Sequence, residues 1–80
     1  MENIIQEVLA NNLGVNLEDI NDSTSINDCD NWDSMKTLFI VSDLESEFQI
    51  QFEPEQIERM NSFKKICEVI NNILNEKEKS

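Results

Sequence analysis

The chain has 80 residues, which allows one domain and one modest core, since a chain of this size buries only about 60% of the surface it exposes when unfolded. Apolar residues make up 39% of it, with one Gly, one Pro and no His or Tyr, so an all-helical fold is expected. The net charge is -11, and Lys36 is the only base before Arg59, a field that repels nucleic acid and anionic membranes and attracts basic protein surfaces.

The first helix is predicted from about Asn3 to Asn12. Ile4, Ile5, Val8 and Leu9 recur on one helical face, and Glu2, Gln6, Glu7, Asn11 and Asn12 take the other. Gly14, the sole glycine, stands where a helix end favours a left-handed residue. Residues 15–32 carry no sustained period. Val15, Leu17, Ile20 and Ile26 are scattered apolar anchors, and Asn21-Asp22-Ser23 and Asn27-Asp28 are turn chemistry.

A strong amphipathic helix follows, predicted from Ser34 to Glu47 or Phe48. Asp33 is placed to cap it; Ser34 sits exposed in its first turn, as a hydroxyl for attachment or simply a small polar residue at a helix start; and Trp32 either staples the entering chain to it or contacts a bound group. Leu38, Val41, Leu44 and Phe48, with Ile40 beside them, are expected in the core. Met35, Phe39, Ser42 and Ser46 fall on a different face, so two bulky apolar side chains stand on an exposed stripe just after Ser34.

Gln49–Glu53 alternates briefly and reads as an extended connector, with Ile50 and Phe52 plugging the core before Pro54 interrupts it. Pro54 opens a short helix to about Arg59. Asn61 or Ser62 then caps a last helix, predicted from Phe63 to Asn75, whose face includes Ile66, Cys67, Val69, Ile70, Ile73 and Leu74. The charged tail over residues 75–80 is expected to fray.

Several chemistries are excluded on residue types alone. Without His, neither a Ser–His nor a Cys–His nucleophile can be built within the chain. Two thiols and no imidazole are a poor zinc set. Cys67 reads as a small buried hydrophobe, and nothing near Cys29 in sequence would activate its thiol. The Asp28/Asp30/Asp33 cluster invites comparison with a calcium loop. Such a loop starting at Asp28 would place Trp32, Asp33 and Phe39 where a ligand, a glycine and a glutamate are required. No metal site and no catalytic residue is therefore expected, and the chain is not read as an enzyme. A signal-peptide core and a long apolar span are both missing, so a cytoplasmic protein is expected.

Taken together, these segments resemble the acyl carrier protein family along essentially the whole chain. Leu13-Gly14-Val15 looks like the turn that ends that family's first helix, and Asp33-Ser34-Met35 like its Asp-Ser-Leu attachment motif. Leu44-Glu45-Ser46-Glu47-Phe48 looks like the acidic end of its second helix, and Ile50 through Glu58 like its connector and short third helix. The resemblance implies one carrier domain over residues 1–80, folded as an all-α four-helix bundle with three main helices and one short helix. It implies that Ser34 is esterified to 4′-phosphopantetheine, donated from coenzyme A by a phosphopantetheinyl transferase, with Asp33 capping the helix and orienting the transferase. Acyl, aminoacyl or polyketide intermediates would ride as thioesters on that arm and be presented to acyl-loading and acyl-processing enzymes. In the family the acyl chain can also fold back between the helices.

The chain departs from the housekeeping fatty-acid members at Asn31, where the family often has glycine, and at Lys36 and Phe39, where acids are common. Trp32-Asp33-Ser34 resembles discrete carriers of specialised pathways. Met35, Phe39, Asp43, Glu45 and Glu47 are the expected partner surface, on a chain expected to be monomeric, with no nucleic-acid or membrane partner. The reading from another class is a small acidic helical adaptor that binds a partner without modification.

Overall fold

The computed structural model describes residues 2–79. Helix α1 spans Glu2–Leu13 and buries Ile5, Val8, Leu9, Ala10 and Leu13, while Ile4 stays half-buried at the edge of the face. It ends at Gly14, whose φ of 69° lies in the left-handed region that costs glycine nothing. The Gly14 and Val15 N–H groups both turn back to the Ala10 carbonyl, at 2.9 and 3.1 Å.

Helix α2 spans Ser34–Phe48, helix α3 Pro54–Arg59 and helix α4 Phe63–Lys79. Helix α1 packs against α2 and α4, and α3 lies on α4. Fully enclosed side chains come from each long helix: Ile5, Leu9 and Leu13 from α1, Ile40 and Leu44 from α2, and Ile66 and Ile70 from α4. Met60, directly after α3, joins them and was not foreseen from the pattern, because it lies outside any periodic run. The described residues thus form four α-helices around one core, with no strand beyond an isolated bridge between Ser25 and Ser62. None of these helices is long and apolar enough to cross a membrane.

The long connection between α1 and α2 is held by polar ties more than by apolar anchors. A short 3-10 helix, Leu17–Asp19, lies against α1 because the Gln6 side-chain amide donates to the carbonyls of Leu17 (3.0 Å) and Ile20 (2.9 Å). Ile20 is buried and Ile26 partly so, as expected. Val15 and Leu17 are not anchors: they are 39% and 46% exposed, since the turn is fixed through Gln6 and needs no apolar contact there. Further along, the buried Thr24 accepts the Asn21 N–H at 2.9 Å and donates to the Asp19 carbonyl at 3.2 Å. The Thr24 carbonyl receives the Phe63 N–H, and the Asn61 carbonyl the Ile26 N–H, so the loop is sewn to the start of α4. Ser62 Oγ caps that start by accepting from Lys65 N at 3.1 Å.

Helix α2 ends at Gln49 in the left-handed region (φ 54°), and the chain then runs extended to bury Ile50 and Phe52. Glu45 organises this exit: its carbonyl receives the Ile50 N–H at 3.2 Å and its carboxylate the Phe52 N–H at 2.9 Å. Helix α4 continues past Asn75 to Lys79, so the fraying expected of the charged tail is not what the backbone adopts over residues 76–79; Ser80 lies outside the described residues. The partly buried Cys67, with Ile73 and Leu74, packs at the rim of the core and is not enclosed within it.

Two stability predictions follow from these contacts. Glu45→Ala strips a charged acceptor from the Phe52 N–H and should cost about 1.5–3 kcal/mol in a denaturant titration; an unchanged midpoint would show that the connector holds itself. Trp32 is only 3% exposed, and Trp32→Ala should cost roughly 3–5 kcal/mol, with an unchanged melting curve as the contrary result.

Candidate functional site

The N-terminus of α2 gathers most of the residues singled out in the sequence. Asp33 is the cap residue, extended at φ -125°, and its Oδ1 accepts the Lys36 N–H at 2.8 Å. Its carbonyl receives the Thr37 N–H at 3.0 Å and the Thr37 hydroxyl at 3.1 Å. That hydroxyl in turn accepts the Trp32 indole N–H at 2.9 Å, and the indole is buried in the core. On the other side, the Asn31 side-chain amide donates at 3.2 Å to the carbonyl of Leu13, the last residue of α1. The loop is thereby pinned to α1 and to the core immediately before Ser34.

Ser34 is the first residue of α2 and its side chain is exposed. The N–H groups of Ser34 and Met35 precede any intrahelical carbonyl they could reach, and they stand at the positive end of the helix dipole. Beside Ser34 opens a cavity of about 280 Å³, lined by Ile26, Thr37, Leu38, Ile57, Met60 and the polar rim residues Glu58 and Asn61. An anion on the serine oxygen would meet two unused N–H donors, and an apolar substituent would find an apolar-walled recess within reach.

Leu38 is the main correction. It was expected in the core, yet it is 59% exposed and forms part of this cavity wall. Residues six apart, such as Leu38 and Leu44, lie about 120° apart around a helix of 3.6 residues per turn, so both cannot face the same neighbour. Ile40, Val41 and Leu44 take the core and Phe48 is half-buried. That drift was available in the spacing. The roles of Thr37, Asn31 and Met60 were not, because each depends on a residue distant in sequence or on a hydroxyl's two partners.

The five expected partner residues do not share one face. Met35 and Phe39 are 64% and 52% exposed and stand one turn apart, and Leu38 extends their apolar stripe toward the cavity. Asp43 is exposed but accepts from the Asn12 amide at 2.9 Å, on the flank nearest α1. Glu45 is half-buried on the opposite flank, engaged with the Phe52 N–H, and Glu47 is exposed.

Neither cysteine offers a reactive thiolate. Burial raises the Cys29 thiol above its ordinary value, the Asp28 and Asp30 charges add to that, and a backbone hydrogen bond at Ser25 opposes it. Cys67 is pushed up to about 11 by burial, with Glu2 and Asp22 adding to the effect. Among the described residues no group of three or more Cys, Asp or Glu side chains is arranged to hold a metal ion; Asp28 instead accepts the Ser25 hydroxyl at 3.0 Å.

Residues 3–70 match the family described as the phosphopantetheine attachment site. That span takes in α1, the whole of the long connection, α2, α3 and the start of α4 as far as Ile70. An all-helical bundle with an exposed serine at the head of its second helix is the architecture the acyl carrier protein resemblance implied. The chain belongs to the phosphopantetheine attachment family, of the acyl carrier protein type, and its cofactor is covalently attached 4′-phosphopantetheine.

Proposed function

We propose that the chain carries acyl, aminoacyl or polyketide-type intermediates as thioesters on an arm attached at Ser34, and presents them to the enzymes of a dedicated biosynthetic pathway in the cytoplasm. The observation that carries this reading is the exposed Ser34 hydroxyl on the first residue of α2, anchored from both sides and next to an apolar-walled cavity. The arm supplies a mobile thiol for thioester chemistry, which neither Cys29 nor Cys67 provides.

The chain's own part is to hold and present. Ser34 Oγ would be the nucleophile toward the phosphorus, with the nucleotide half of coenzyme A as the leaving group; the chain has no His to take the hydroxyl proton, which would pass to a base on the transferase. A phosphodiester on Ser34 would stand at the positive end of α2, near the Ser34 and Met35 N–H groups, so the helix would favour the modified state electrostatically. The cavity walled by Ile26, Leu38, Ile57 and Met60 shelters the apolar part of a cargo that folds back.

Partner enzymes dock on the outward stripe of α2. Met35 and Phe39 form its apolar centre, and Asp43 and Glu47 give it an acidic rim. Glu45, tied to Phe52, contributes mainly by shaping the end of the helix. The negative charge of residues 1–58 steers partners with basic surfaces toward this face.

Incubation with coenzyme A and a promiscuous phosphopantetheinyl transferase should add one phosphopantetheine mass to the wild type and none to Ser34→Ala. No mass gain with several such transferases contradicts the carrier reading and favours an unmodified adaptor. Phe39→Glu should leave the melting temperature within a few degrees of wild type and slow loading by the cognate enzyme. A large loss of stability would place Phe39 in the core instead.

A further inference from the structure

We propose that Thr37 is a positioning residue for modification of Ser34, acting through the Asp33–Ser34 peptide. This rests on the carrier reading above and assigns a task to a residue outside the attachment motif. Thr37 lies one turn into α2, half-buried, where a threonine hydroxyl commonly bonds the carbonyl four residues back and no more. Here the hydroxyl has a second partner. It donates to the Asp33 carbonyl at 3.1 Å and accepts the Trp32 indole N–H at 2.9 Å.

The Asp33 carbonyl belongs to the same rigid peptide plane as the Ser34 N–H. Holding that oxygen through both the N–H and the hydroxyl of Thr37 sets the orientation of the plane, and with it the direction in which Ser34 leaves the backbone. The Asp33 carboxylate does not do this: its bond to Lys36 N constrains the far side of the first turn. The reference point for the plane is the indole of the chain's only tryptophan, 3% exposed and packed in the core. A line of contacts therefore runs from core to indole, hydroxyl, carbonyl and serine, and Thr37 is the one link in it that contributes a donor and an acceptor together. Thr37 also lines the cavity beside Ser34.

The substitution Thr37→Val keeps the shape and removes both bonds, while Thr37→Ser keeps both and removes only a methyl group. With the unmodified chain, saturating coenzyme A and a promiscuous phosphopantetheinyl transferase, rates are to be measured at a temperature where circular dichroism shows every variant folded. Wild type should load, Thr37→Ser should load at a similar rate, and Thr37→Val should lose roughly tenfold in kcat with little change in KM for the carrier. That loss is inside the roughly 100-fold that a misplacement of about 1 Å can cause. Trp32→Phe, which keeps a ring in the core and deletes the indole N–H, should reproduce the kcat defect. Thr37→Val loading as fast as wild type overturns the proposal even if its melting temperature falls, because the bond would then serve stability alone. Equal defects in Thr37→Val and Thr37→Ser overturn it as well, since the hydroxyl would not be the cause. Failure of the wild type to load overturns the carrier reading itself, and this inference with it.

Discussion

The hydrogen-bonded link from the Trp32 indole through the Thr37 hydroxyl to the Asp33 carbonyl holds the start of α2 to the core. A helix start left to itself frays, because its first N–H groups have no intrahelical acceptors. Here one of those groups is capped by Asp33, the preceding carbonyl is held twice by Thr37, and the indole anchors the hydroxyl to the core. Ser34 is exposed, on a helix start held to the core and to α1. Asn31 completes the arrangement by tying the loop to the end of α1, which closes the orphaned Leu13 carbonyl as well.

The remaining features concern what the bundle leaves uncovered around this helix start. A core drawn from α1, α2 and α4 leaves the outward side of α2 unpartnered, so Met35, Leu38 and Phe39 stay exposed. Acids are concentrated before Arg59, so the stripe lies in the strongly negative part of the sequence. The short α3 contacts α4, leaving a recess between α2 and α3 whose walls include Leu38, Ile57 and Met60. An opening of that kind costs some packing.

Much of this was legible before any coordinates. The periodic faces of α1 and α4, the glycine after α1, the Pro54 start of α3 and the Asp33 cap each rest on local rules, and the structure keeps them. Departures occur where local rules meet tertiary context. Leu38 sits at the edge of its stripe, and only the position of α3 decides that it faces a recess. Val15 and Leu17 are exposed because Gln6, ten residues or so earlier, holds the turn by hydrogen bonds that carry no hydrophobic signature. Glu45 reads as surface charge in a helix and is a hydrogen-bond acceptor for the connector. Asp33-Ser34-Met35 resembles an attachment motif in the sequence alone, whereas the two bonds of the Thr37 hydroxyl needed the geometry.

The central claim is that Ser34 is presented by a rigid helix start. Nitrogen-15 relaxation of the amide groups in the unmodified chain tests it directly. The account predicts order parameters for Ser34, Met35 and Lys36 near ~0.85, the value of rigid backbone, matching the middle of α2; values below ~0.6 at Ser34 would mark a flexible segment and contradict it.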